Sequence, residues 1–207
     1  MQDLLLFYYN ETGIPVPEKF EKIVELCKIN SNLFDTAFIL QKEFEKCRNE
    51  YYEAHQLYKV ENENMGILLS GIGLYFYNIK DTYNSSRLFE LALPSRNIVA
   101  FVLFHNITLT NALFIDKFNE MKRKCEDIVY PFLNSTSCFT CVQKILLDKI
   151  MQQKTVIHDS IKEKNDKYAA FTDIWNKTTA TLKNAIDLST CTLYFDIETL
   201  FNIEEFL

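Results

Sequence analysis

Six cysteines, three histidines and five Asn-x-Ser/Thr triplets are the residues in this chain whose types and spacing bear on chemistry. Cys27, Cys47, Cys125, Cys138, Cys141 and Cys191 form an even set, which fits a disulfide framework in an oxidising compartment or buried thiols in a reducing one. Cys138-Phe139-Thr140-Cys141 is a C-x-x-C pair. A redox dithiol of the thioredoxin type requires a preceding strand and a βαβ frame. Neither is expected here, so the pair reads as structural. A zinc centre needs two further ligands at finger-like spacing, and His158 and Cys125 do not supply them. His55, His105 and His158 are scattered, with no H-E-x-x-H, G-x-S-x-G or paired-carboxylate pattern beside them. His105 lies in an apolar run and reads as a core residue. The chain is therefore expected to carry no catalytic centre, no cofactor and no metal.

The triplets begin at Asn10, Asn84, Asn106, Asn134 and Asn176, where about two would arise by chance. Such a triplet accepts a glycan only in a secretory compartment, where thiols also oxidise. Asn10, Asn84 and Asn134 fall in expected loops and are the candidate acceptors. Asn106 lies in an apolar stretch and Asn176 mid-helix, where chance is the better account.

The elements that position these residues are expected to be helices. The chain has 207 residues, 48% hydrophobic and 24% charged, with only four Gly and four Pro. That scarcity argues against a turn-rich sandwich or a small disulfide scaffold. Seventeen Phe and eleven Tyr supply bulky core material, with an apolar ligand cavity as the alternative use. Residues 1–16 read as an irregular arm ending at Pro17. Phe20, Ile23, Val24 and Cys27 then recur on one helical face. After a turn at Asn30-Ser31-Asn32, a second helix is expected to about residue 60, with Phe34, Phe38, Phe44, Tyr51 and Tyr58 near one stripe. The two form an αα-hairpin.

Glu61-Asn62-Glu63-Asn64 reads as a break and Met65–Tyr77 as a segment buried on all sides. Asp81–Ser86 reads as a polar loop. Ile98–Leu109 is a buried helix or strand that periodicity does not distinguish. A helix from about 112 to 130 is expected to end at Pro131. Leu146, Ile150, Ile157, Ile161, Tyr168, Phe171, Trp175 and Leu182 share one face, which predicts one long amphipathic helix over about 140–188. Gln153, Lys164 and Thr178 interrupt that face, so a strict coiled-coil seam is not expected. For the tail, 192–207, helix and strand both stay open.

In a straight hairpin turning near Ser31, Cys27 lies roughly 4 residues before the turn and Cys47 roughly 16 after it. The offset is about 18 Å, beyond a disulfide's reach. Cys141 and Cys191 would lie at opposite ends of the last helix. Cys125 with Cys138 or Cys141, across Pro131, is the favoured local bridge. Arg96–Phe104 resembles the BH1 segment of Bcl-2 proteins over nine residues. The Trp-Gly-Arg lead-in and a later Gly-Trp pattern are missing, and no function is carried over.

The net charge of −6 disfavours nucleic acid and anionic membrane surfaces as partners. The basic run Lys122-Arg123-Lys124 reads as a solvated helix face. No stretch is long and apolar enough for a transmembrane segment. The first residues lack the basic region and cleavage site of a signal peptide, so export would imply a leader removed from this sequence.

The expected fold is mainly α: an antiparallel helical bundle with an N-terminal αα-hairpin and the long C-terminal helix, stapled by disulfides. An arm at 1–16 precedes a single domain over 17–207, with a candidate division near 131–140. The expected function is a secreted or cell-surface N-glycosylated binding protein without catalytic activity, recognising a protein partner or an apolar ligand. The alternative is an intracellular, cytoplasmic helical adaptor with reduced cysteines.

Overall fold

The structure, a computed structural model, describes residues 1–133 and 139–204, with side chains described at 1–131 and 142–190. It is 88% helical, without strands among the described residues. The chain forms two compact units, Met1–Tyr52 with Asn165–Leu207, and Glu53–Lys164. The division falls inside two long helices. No punctuation in the sequence marks it, because the helical backbone is uninterrupted at either point.

The first unit opens with α1, Gln2–Thr12, where an irregular arm was expected. Leu4, Leu5, Tyr8 and Tyr9 recur at i, i+1, i+4 and i+5, and all are buried. That spacing makes one helical face. Gly13 closes the helix in the left-handed region, φ 69°, the conformation that glycine adopts without a Cβ penalty. Helix α2, Phe20–Ile29, starts after Pro17, as the proline predicts. A 3-10 turn, Ser31–Phe34, leads into α3, Asp35–Asn78.

Val24 and Cys27 of α2 pack in one core with Phe34, Ala37, Leu4, Leu5 and, from α7 (Phe139–Glu204), Leu182, Ala185 and Ile186. Helix α2 and the start of α3, where a hairpin was expected, thus share one core. Within this unit Phe44 meets Phe171 at 5.3 Å and Tyr51 meets Tyr168 at 5.3 Å. Lys167 Nζ donates to Glu50 Oε2 at 2.7 Å. Partner numbers fall on α7 as they rise on α3, so the two helices run antiparallel here.

In the second unit α3 continues through 61–64, where a break was expected. Glutamate is a strong helix former and asparagine costs only a fraction of a kcal/mol. The buried run Leu68–Phe76 beyond them requires helix to pair its backbone. Helix α4, Thr82–Ala92, replaces the expected polar loop at 81–86. Lys80 ends α3 with φ 66°; its N–H donates to Tyr77 O and that of Asp81 to Phe76 O, a Schellman closure. Asp81 then caps α4: its Oδ1 accepts from the Asn84 N–H at 3.1 Å.

Ile98–Phe104 resolves the helix-or-strand ambiguity as α5. Helix α6, Ala112–Leu133, runs past Pro131. Two cores form in this unit. Leu68, Ile72, Phe76, Val129, Val142 and Leu146 make one. Leu69, Leu74, Phe89, Val99, Ala100 and Cys125 make the other.

The residues that interrupt the apolar stripe of α7 share a second property. Each reaches α3. In the first unit the buried Thr178 hydroxyl donates to Ile174 O at 2.7 Å and lies 3.4 Å from Leu40 O. In the second unit the Gln153 amide donates to Glu61 O at 3.2 Å and Glu61 Oε2 at 2.8 Å. There too Lys164 Nζ stands 4.6 Å from the Tyr58 ring centre. These polar contacts are directional where apolar packing is not, so each opposes sliding of α7 along α3.

Candidate functional site

Cys27, Cys47 and Cys125 are free thiols. Cys27 is fully buried in the α1–α2–α7 core. Burial pushes its thiol up from the usual range, and the Ser189 hydroxyl partly opposes the shift. Cys125 is buried against α3 and α5, and burial pushes it up to about 11 even though Asn97 Nδ2 donates to its Sγ at 3.9 Å. A neutral thiol in an apolar shell is a core residue, neither nucleophile nor ligand. The Cys125 bridge across Pro131 is therefore not formed by the residues described. Cys138, Cys141 and Cys191 lie outside the described side chains, as does Asn134.

The expected acceptors divide. Asn10 is exposed, on helix α1 and not in a loop. Asn84 is half-buried in the first turn of α4, and its Nδ2 donates to Asp81 Oδ2 at 2.7 Å. Those bonds hold the Asp81 carboxyl below its ordinary range. Asn106, discounted on its apolar surroundings, is exposed together with Ile107 and Thr108 in the loop after α5. It adopts φ 51° and closes α5, with the Ile107 N–H donating to Val102 O. The structure also corrects His105: it is exposed at the end of α5, its ring 4.8 Å from Phe101 and 5.0 Å from Phe104. Among the described residues, no three His, Cys, Asp or Glu side chains converge where they could hold a metal ion.

Two concave sites stand out, both in the second unit. The first is an apolar groove of about 300 Å³ between α3, α4 and α7. Its floor is Ile72, Phe76 and Leu146; Leu88 and Ile150 line it, and Arg87 stands at its edge. Leu91 is 58% exposed and Leu147 57% exposed on its rim. Neither the groove nor its rim stood out in the sequence. Leu88 and Leu91 lie one turn apart on a helix that had been read in part as loop, and only folding sets them opposite Leu147.

The second is a polar pocket of about 540 Å³ with His55, Tyr58, Lys59, Asn62, Ser95 and Arg96 on its walls. The segment that builds it is tightly determined. Gly66 makes room for it, because a Cβ there would collide with the Ser95 side chain. Asn97, 4% exposed, accepts from the Val99 and Ala100 N–H groups at 3.0 and 3.2 Å and so caps α5. Between these two residues Arg96 takes φ 59°, ψ 29°, a left-handed conformation costly for a non-glycine residue. Comparison of the chain with protein-family models, with curated proteins and with solved structures finds no match.

Proposed function

We propose that this chain is a non-catalytic helical binding protein that recognises a protein partner through the groove between α3, α4 and α7. The observation that carries the reading is the apolar floor of that groove with Leu91 and Leu147 left exposed on its rim. A site built for an apolar small molecule encloses most of its ligand. This groove is open, so it suits apolar side chains projecting from a partner segment, and the Arg87 guanidinium at its edge suits an acidic residue on that segment.

For the compartment, an intracellular adaptor with reduced cysteines is supported by Cys27 and Cys125, each a neutral thiol in a different core. A secreted, glycosylated form has its own support in the exposed Asn10 and Asn106 triplets. That form would draw disulfides from Cys47, Cys138, Cys141 and Cys191.

Quantitative affinity capture from the native source, comparing the wild type with Leu91→Asp and Leu147→Asp, tests the groove. A partner retained saturably by the wild type and lost by about tenfold or more with either variant is expected. Equal capture by all three, with the variants folded by circular dichroism, rules the groove out. A co-purifying lipid displaced by the same substitutions would move the reading to an apolar ligand.

A further inference from the structure

Arg96 lies on the wall of two cavities at once. One is the polar pocket with Lys59, His55, Tyr58, Asn62 and Ser95. The other is an apolar hollow of about 520 Å³ formed by Leu93, Ile98, Phe101 and His105. Neither Lys59 nor Arg96 has an ion-pair partner among the described residues. Glu63 is the one acidic residue on the polar wall, and its charge is felt by Lys124. In a chain of net charge −6, two cations against one carboxylate on the wall of one concavity make a local field for an anion. Beyond Arg96 the apolar side presents Phe101, 50% exposed, and Ile98.

The left-handed ends at Lys80 and Asn106 are accounted for by the closures of α3 and α5. Arg96 likewise closes a turn, the 3-10 segment Leu93–Ser95, its N–H donating to Leu93 O at 2.9 Å, and a glycine would take its conformation at lower cost. That closure, between the Asn97 cap and the close-packed Ser95, fixes where the Arg96 side chain leaves the backbone.

We propose that Arg96, with Lys59 beside it, anchors the oxyanion head of an amphiphilic ligand whose apolar part lies over Ile98 and Phe101. The guanidinium presents paired N–H donors that match the two oxygens of a carboxylate or phosphate. The apolar hollow beyond it selects against a free inorganic anion. This site is separate from the α3–α4–α7 groove, and it stands or falls independently of the partner reading.

Calorimetric titration below the micelle concentration tests it with four probes: decanoate, decyl phosphate, decyltrimethylammonium and inorganic phosphate. One or both of the anionic amphiphiles should bind saturably at one site, and the tighter of them identifies the head group. The cationic amphiphile and phosphate alone should bind at least about tenfold more weakly. Arg96→Gly should weaken the amphiphile by about tenfold or more while raising Tm by about 2–4 °C, because the backbone strain is relieved. The Tm gain reads the backbone alone, and the loss of amphiphile binding reads the guanidinium. Arg96→Gln provides the same binding test without the glycine, and Phe101→Ala should weaken decanoate without changing the response to phosphate. Absence of saturable binding by both anions, equal binding of the cationic amphiphile, or unchanged affinity in both Arg96 variants would overturn the proposal.

Discussion

Cys125 condenses the chemistry of the second unit into one residue. Its thiol sits in the core beside the Asn97 amide, and its backbone carbonyl faces Gly71. Burial disfavours the thiolate and pushes the thiol up to about 11, above the ordinary thiol value of 9.0. The unfolded chain then releases its proton first as pH rises. Stability is unaffected below about pH 9 and falls between about pH 9 and pH 11, by about 1.4 kcal/mol per pH unit at most. Cys27, Tyr8 and Tyr9 are also shifted upward by burial and add in the same direction. Urea unfolding at pH 8 and pH 10.5 should show this loss, smaller in Cys125→Ala than in the wild type. An equal loss in both proteins would assign the alkaline effect to the other groups. That these cysteines are interior residues was not legible from their even number. Pairing is a matter of which thiols folding brings together, and Cys27 and Cys125 end in different cores.

At the scale of elements, the segment 65–77 of α3 explains how an apolar run with three glycines becomes a helix. Gly71 lies so close to the Cys125 carbonyl that a Cβ would collide with main chain, which cannot swing away as a side chain does. Gly71→Ala should therefore destabilise the protein by about 1–3 kcal/mol, the opposite of the small gain expected from alanine at an open helical site. Beside it, the Ser70 hydroxyl is buried with no hydrogen-bond partner among the described residues. Ser70→Ala should raise stability by about 1 kcal/mol, since an unpaired buried polar group is removed. Chemical denaturation of the two variants reads both effects, and loss of stability in Ser70→Ala would imply a partner for that hydroxyl.

Periodicity identified α2, the first half of α3 and the long helix α7, because each presents a sustained apolar face. It missed α1, whose face is only four residues, and α4, whose N-cap aspartate and polar first turn resemble a loop. The breaks in the α7 stripe were visible in the sequence. Their role was not, since Gln153, Lys164 and Thr178 acquire meaning only opposite Glu61, Tyr58 and Leu40.

For the molecule as a whole, compartment and modification are the decisive questions. Mass spectrometry of the native protein without reduction should find Cys27 and Cys125 as free thiols. A disulfide at either residue would overturn the buried-thiol description. If the chain is routed through a secretory pathway behind an added leader, glycan occupancy at Asn106 should exceed that at Asn84. Asn106 and Thr108 are exposed, whereas the Asn84 amide is held by Asp81. Peptide mapping before and after N-glycosidase treatment measures the ratio, and equal occupancy in folded, secreted protein would sink the argument.

The amino-acid sequence by itself determined that this protein is helical. Scarce glycine and proline with apolar residues at helical spacing leave few turns and many faces to bury. Helical periodicity is local, so it survives without knowledge of the fold. Tertiary structure decided what the sequence left open: which thiols are buried, which asparagines stand exposed, that Leu91 and Leu147 line one groove and that Arg96 and Lys59 line one pocket. Those juxtapositions join residues far apart in the chain, and only packing of the helices brings them to one surface.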